Sequence, residues 1–167
     1  MTTTSVQPAA VPASLALRHV LSTLVYRAAK TLRGAPADFS SFRAGEGSRQ
    51  AGQILAHMCD LLDWALSQAR GEERWRDSPP QSWSDDSTRF FAAATALDQY
   101  LASGEQLHAP AEKLFQGALA DALTHTGQIA LLRRLAGAPL RGENYSRAEI
   151  EIGNTGAGQP KPVREFD

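Results

Sequence analysis

Between Ser14 and Leu135 the apolar residues of this chain return every three or four positions, in four separate runs. An α-helix repeats every 3.6 residues and a strand every two, so this spacing gathers each run's apolar side chains on one helical face. The first run reaches about Arg33, with Leu17, Val20, Leu21, Leu24, Val25, Ala28 and Leu32 inward, Ser14 as candidate N-cap and Gly34 as stop. The second, from the candidate N-cap Ser48 to about Arg70, carries Ile54, Leu55, Met58, Leu61, Leu62, Ala65 and Ala69 on one face. The third begins at Ser84 or Asp85, where acidic residues suit a helix N-terminus, buries Phe90, Phe91, Ala94, Leu97, Tyr100 and Leu101, and stops at Gly104. The fourth places Pro110 at N1 and runs to about Leu135, closing on Arg133, Arg134 and the C′ candidate Gly137.

Four such helices, with no competing strand pattern before residue 145, predict an all-α four-helix bundle over residues 14–137. Residues 1–13 read as a disordered lead-in. Phe39 and Phe42, in the Gly- and Ser-rich loop after the first helix, are expected to fold back onto the core. Residues 138–167 are rich in Gly and Pro and predict an extended tail packed along the bundle or against a second subunit. Only the stretch AEIEI in it alternates like a strand.

With 17 basic and 18 acidic residues the net charge is -1, which offers no electrostatic footprint for nucleic acid or an anionic membrane. The apolar stretch from Leu15 to Leu32 carries Arg18, His19, Arg27 and Lys30, which a bilayer core does not tolerate in an isolated span. Cys59 is the single cysteine, so neither an internal disulfide nor a thiolate-rich zinc site can form within one chain. The start lacks the basic and continuously apolar regions of a secretory signal, and together these features lead us to expect a soluble cytoplasmic protein.

Two polar residues interrupt the apolar stripe of the fourth helix. With Leu114 as zero and about 100° per residue, Ala118, Asp121, His125, Gln128 and Leu132 fall within roughly 40° of one line. Asp121 and His125 are then expected to point into the core, where an unpaired carboxylate costs several kcal/mol or more. A buried Asp-His hydrogen bond is one remedy, since i,i+4 partners touch. A metal ion chelated by both is the sharper alternative, and it needs a third ligand from another helix. Helical phase puts His19 in solvent and His108 in a surface loop, while His57 lies on the edge of the second helix's buried stripe. It is the only histidine with a suitable phase. Gln128, one turn beyond His125, would either orient water or a substrate carbonyl or cap a polar end of the bundle. Gly127 suggests close approach by another helix or a ligand. Asp60 is either a partner for the second ring nitrogen of His57 or a solvated surface residue. Asn144, Tyr145 and Arg147 would either line the mouth of the site or serve packing.

The segments GQILAHMCDLLDW and DALTHTGQIALLRRLAG resemble the DinB/YfiT-like family of metal-dependent proteins, which pairs an xxLxH segment on helix two with a ligand pair ending in HxGQ on helix four. The likeness covers about residues 14–137. It implies an up-down-down-up bundle, often a homodimer, with a long crossover at residues 71–84 and metal ligands at His57, Asp121 and His125. Most members have histidine where this chain has Asp121; mycothiol-dependent maleylpyruvate isomerase, of the same superfamily, resembles it in having a carboxylate there. Two nitrogens and one oxygen suit zinc or nickel, with iron(II) and manganese as further choices. The resemblance implies a metal-dependent enzyme that activates a low-molecular-weight thiol toward a small-molecule substrate, as transferase or isomerase, with Gln128 as a catalytic residue. The rival expectations are a non-catalytic metal-binding or stress-linked dimeric bundle and a dimerisation module without metal.

Overall fold

The structure, a computed structural model, describes residues 11–166, so the expected lead-in lies mostly outside the described residues. Among the described residues the chain is mostly helical. The helices are α1 (Ala13–Leu32), α2 (Ala51–Ala69), α3 (Trp83–Ala102), α4 (Ala111–Leu114) and α5 (Ala120–Leu135), with a π-helical turn at Phe115–Leu119 joining the last two into one long segment. No described helix is long and apolar enough to cross a membrane.

The four long segments share one core. α3 packs on both α1 and α2, and α5 packs on both from the other side. Leu21, Leu24, Leu55, Met58, Leu62, Phe90, Leu97 and Ile129 are all but completely buried in it. Every apolar position expected inside on the first three helices is buried or partly buried, as is Phe39, with Phe42 packed beside it.

Cross-helix hydrogen bonds fix which levels meet. Arg18 near the start of α1 holds Asp98 near the end of α3 through two bonds of 2.8 and 3.0 Å. At the other end the Trp83 indole donates to the Leu32 carbonyl. The Tyr100 hydroxyl donates to the Ala69 carbonyl, and the His108 backbone N–H reaches the same oxygen. Arg133, 4% exposed, donates to the carbonyls of Thr31, Arg33 and Gly34 and to that of Ala138 in its own chain reversal. The last carbonyls of a helix lack intrahelical partners, and here a buried guanidinium from α5 satisfies that of Thr31 in α1 together with those of Arg33 and Gly34 just beyond it.

The helix starts differ from the expected ones. α1 begins after Pro12 with no side-chain cap, so Ser14 lies inside the helix. α2 is opened by Gln50, not Ser48, through a reciprocal capping box in which the Gln53 side chain accepts from the Gln50 backbone. Ser82 caps α3, which starts at Trp83, and accepts the Asp85 N–H at 3.0 Å. Pro110 sits at the cap position one residue before the helix, not at N1. The stops hold: Gly34 and Gly104 have φ of 62° and 79°, and Gly137, at φ 75°, closes α5 with Ala138 donating to Arg133 and Gly137 to Arg134.

The tail crosses α1 and α3. Glu143 accepts from the Tyr26 hydroxyl at 2.6 Å and from Lys30 at 3.0 Å, Gly153 donates to Ser22, and the Thr95 and Thr155 hydroxyls meet at 2.9 Å. AEIEI forms no strand. The only described strand pair is β1 (Gly142–Glu143) against β2 (Glu165–Phe166), antiparallel. The alternation in AEIEI has no neighbouring edge to pair with, which a lone period-two pattern cannot reveal.

Candidate metal centre

The π turn decides how α5 presents its side chains. An i→i+5 turn holds one extra residue, so positions after it lag an uninterrupted α-helix by on the order of 90°. The line from Leu114 is therefore broken at Phe115. Ala122, Thr126, Ile129 and Arg133 take the core-facing line, all buried. Asp121 and Gln128 swing outward: the carboxylate is 44% exposed rather than in the core, and Gln128 is exposed. His125 stays inward, 8% exposed. The mutual spacing of Asp121, His125 and Gln128 survives because all three follow the turn.

His57 comes from α2 at the edge of its buried stripe, as its phase predicts, with its side chain 19% exposed. Its Nε2 lies 3.4 Å from Asp121 Oδ2, while His125 Nδ1 lies 3.5 Å from Asp121 Oδ1. The two imidazole rings are 4.9 Å apart, and one ligand atom from each of the three residues falls within 4.8 Å of the others. This His57-Asp121-His125 cluster can hold a metal ion. Bonds of about 2.0–2.1 Å in a tetrahedral zinc site put neighbouring ligand atoms roughly 3.3–3.5 Å apart; each His-Asp contact is of that length, to a different carboxylate oxygen, while one atom from each of the three residues spans up to 4.8 Å.

Burial is the main reason the His125 imidazole is held below its ordinary pKa; the Asp121 charge opposes it, and His57 and Arg49 act with it. A neutral imidazole is the form that ligates metal. Among the described residues neither His125 nitrogen has a hydrogen-bond partner, although both are buried. A buried Asp121-His125 hydrogen bond, the plainer expectation, is not made. The donor set and the orphaned nitrogens both fit a cation.

Two clefts open on the cluster. One, of 390 Å³, runs beside His57 and is lined by Arg49, Gln53, Asp77, Ser78 and the two prolines after it. The other, of 480 Å³, contains His125, Gln128 and Arg49 among Ala44, Ser48, Ile54, Leu131 and Leu132. Trp75 packs edge-on against His57 at 5.6 Å and against Trp64 at 5.7 Å. Sequence reasoning missed Arg49 and Trp75, which lie in loops where no periodicity marks a facing direction.

The remaining expected positions are elsewhere. Asp60 is 2% exposed and is neither a solvated residue nor a partner of His57: it accepts the Ser78 N–H and hydroxyl at 2.8 Å each and pairs with Arg89. It thus pins the crossover that carries Trp75. Among the described residues a Cβ at Gly127 would meet nothing within 4 Å, so no described element approaches it. His19 and His108 are exposed. Tyr145 packs on Tyr26 at 6.3 Å with Arg27 over its ring, and neither it, Asn144 nor Arg147 lines the clefts. Fold and site together define a mostly helical protein with a His-Asp-His cluster able to hold a metal ion. No family model, curated protein or solved structure matches the chain.

Proposed function

We propose that this chain is a divalent-metal enzyme of the DinB-like superfamily, its metal held by His57, Asp121 and His125, acting with a low-molecular-weight thiol as transferase or isomerase. The observation that carries this reading is His125, a buried imidazole with two unpartnered nitrogens, faced by a second imidazole and a carboxylate. A polar atom left unsatisfied in this way costs about 1–3 kcal/mol, and coordination removes that cost at one of the two His125 nitrogens. Zinc or nickel best suits the donor set, with iron(II) and manganese next. When bound, the metal would supply Lewis acidity, lowering the pKa of a thiol or water toward neutrality.

The chain's own residues provide the rest. Gln128, exposed in the cleft that contains His125, orients a substrate carbonyl or water through its amide. Trp75, against His57, keeps solvent off one side of that ring. Three protein ligands beside open clefts leave room for substrate, which favours a reactive site over a closed structural one.

The fold proposed with it is the up-down-down-up four-helix bundle. Its support is the pairing of levels: Arg18 with Asp98 and Trp83 with Leu32 for opposed α1 and α3, Tyr100 with Ala69 for aligned α2 and α3, Arg133 with Thr31 for aligned α1 and α5.

The test is turnover of the zinc- or nickel-loaded chain with a panel of thiols and electrophiles. Wild type forms a conjugate or an isomerised product, and Asp121→Ala and His125→Ala each lose at least roughly 10–100-fold in kcat/KM, the range seen when even an outer-shell partner of a metal is removed. Activity that survives both substitutions removes the site.

A further inference from the structure

Arg49 is exposed two residues before α2 and makes no hydrogen bond or ion pair among the described residues. Arg49 lines both clefts that flank the cluster. Beside His57 it shares the cleft with Asp77, whose charge offsets its own. Beside His125 no acidic residue lines the cleft, and apart from Ser48 and Gln128 the wall is Ala44, Ile54, Leu131 and Leu132.

That second cleft combines three properties. Its volume of 480 Å³ falls within the roughly 300–1,000 Å³ of small-molecule sites. Half of its lining residues are apolar, and Leu131 among them is left 52% exposed. Its lining also includes Arg49, with no hydrogen bond or ion pair among the described residues, and the buried His125, whose nitrogens have no hydrogen-bond partner there. A dication with one carboxylate and two neutral imidazoles adds a net charge of the same sign as Arg49.

We infer that this cleft takes a small amphipathic acid, its carboxylate against the Arg49 guanidinium beside the metal cluster and its alkyl or aryl body along Ile54, Leu131 and Leu132. The inference rests on the metal reading for part of the positive charge, and it narrows the substrate class of that site. Arginine's planar fork matches a carboxylate with two parallel bonds, which lysine cannot reproduce but whose charge it retains. Acetate lacks the body and a hexylammonium ion lacks the acid, so the two halves of the recognition separate in one experiment.

The full chain, loaded with zinc, is titrated calorimetrically with hexanoate, hexylammonium and acetate, and the zinc content of every sample is measured. Hexanoate is expected to bind at least about tenfold more tightly than either comparison ligand, and Arg49→Gln to lose at least about tenfold of that affinity with zinc content unchanged. Arg49→Lys keeps part of it, and Leu131→Asn weakens hexanoate while leaving acetate alone. Hexanoate no tighter than hexylammonium, or Arg49→Gln without effect in a chain that holds its zinc, overturns the inference and leaves the metal reading standing. A wild-type chain that takes up no zinc overturns the metal reading instead.

Discussion

Asp121 touches both histidines, and it does so because it does not sit in the core: its carboxylate, 44% exposed, spans the gap between an α2 imidazole and an α5 imidazole. An aspartate at full burial would have needed an ion pair merely to fold. At the edge it faces both rings while keeping contact with solvent. Two neighbouring residues allow sharp tests of the surroundings. Cys59 is fully buried, donates weakly to the Asp86 carbonyl at 3.3 Å, and is pushed up to about 12 chiefly by burial. Since the thiolate is the reactive form, the native chain should leave a thiol reagent unconsumed over hours and react fully once unfolded in guanidinium. Prompt reaction of the folded chain contradicts the packing of α2 on α3. Gly127 has helical neighbours and open space where a Cβ would go. Gly127→Ala should therefore raise stability by up to about 1 kcal/mol in denaturant melts.

At the scale of elements, the apolar faces of the first three helices were legible because each run has an unbroken 3.6 period. The fourth was legible only in part. His57, Asp121 and His125 could be picked as a set from spacing and phase, yet their burial could not, because the π turn at Phe115–Leu119 shifts everything after it. Nothing in FQGAL announces such a turn. Gly117, within it, leaves space against which the Trp64 ring packs, and that is a tertiary fact. The caps failed for a related reason: Gln50 and Gln53 close a box whose partners are three residues apart, whereas Ser48 bonds back to Gly45 in the preceding turn. The tail was legible as irregular, and its docking was not, since it depends on Tyr26, Ser22 and Thr95 reaching it from distant helices. That docking titrates. Burial first, and then the bond to Glu143, raise the Tyr26 phenol above its ordinary 10.0. A group that binds its proton more tightly when folded stabilises fully below its unfolded pKa and loses that contribution as pH rises beyond it. Lys30, likewise raised from 10.5, acts in the same direction. Stability should fall steeply above about pH 10, and Tyr26→Phe should be weaker at neutral pH but flatter across the alkaline range. Parallel alkaline slopes for the two chains would show that Tyr26 does not tie the tail down.

For the whole molecule, the cluster joins α2 to α5 across one edge of the core, beside the crossover pinned by Asp60, Ser78 and Arg89. An ion that bridges two helices and binds only the folded chain raises stability by mass action. We propose that these three side chains hold a metal in the folded chain. Elemental analysis of wild type and Asp121→Ala, both purified without an affinity tag and both shown helical by circular dichroism, tests it most directly. The expected result is about one divalent transition metal per wild-type chain, a melting temperature that falls when a chelator removes it, and little or no metal in Asp121→Ala, the usual behaviour of a site whose ligand set is broken. Wild type that folds with no metal, takes none up from zinc or nickel solutions and melts alike with and without chelator would contradict it.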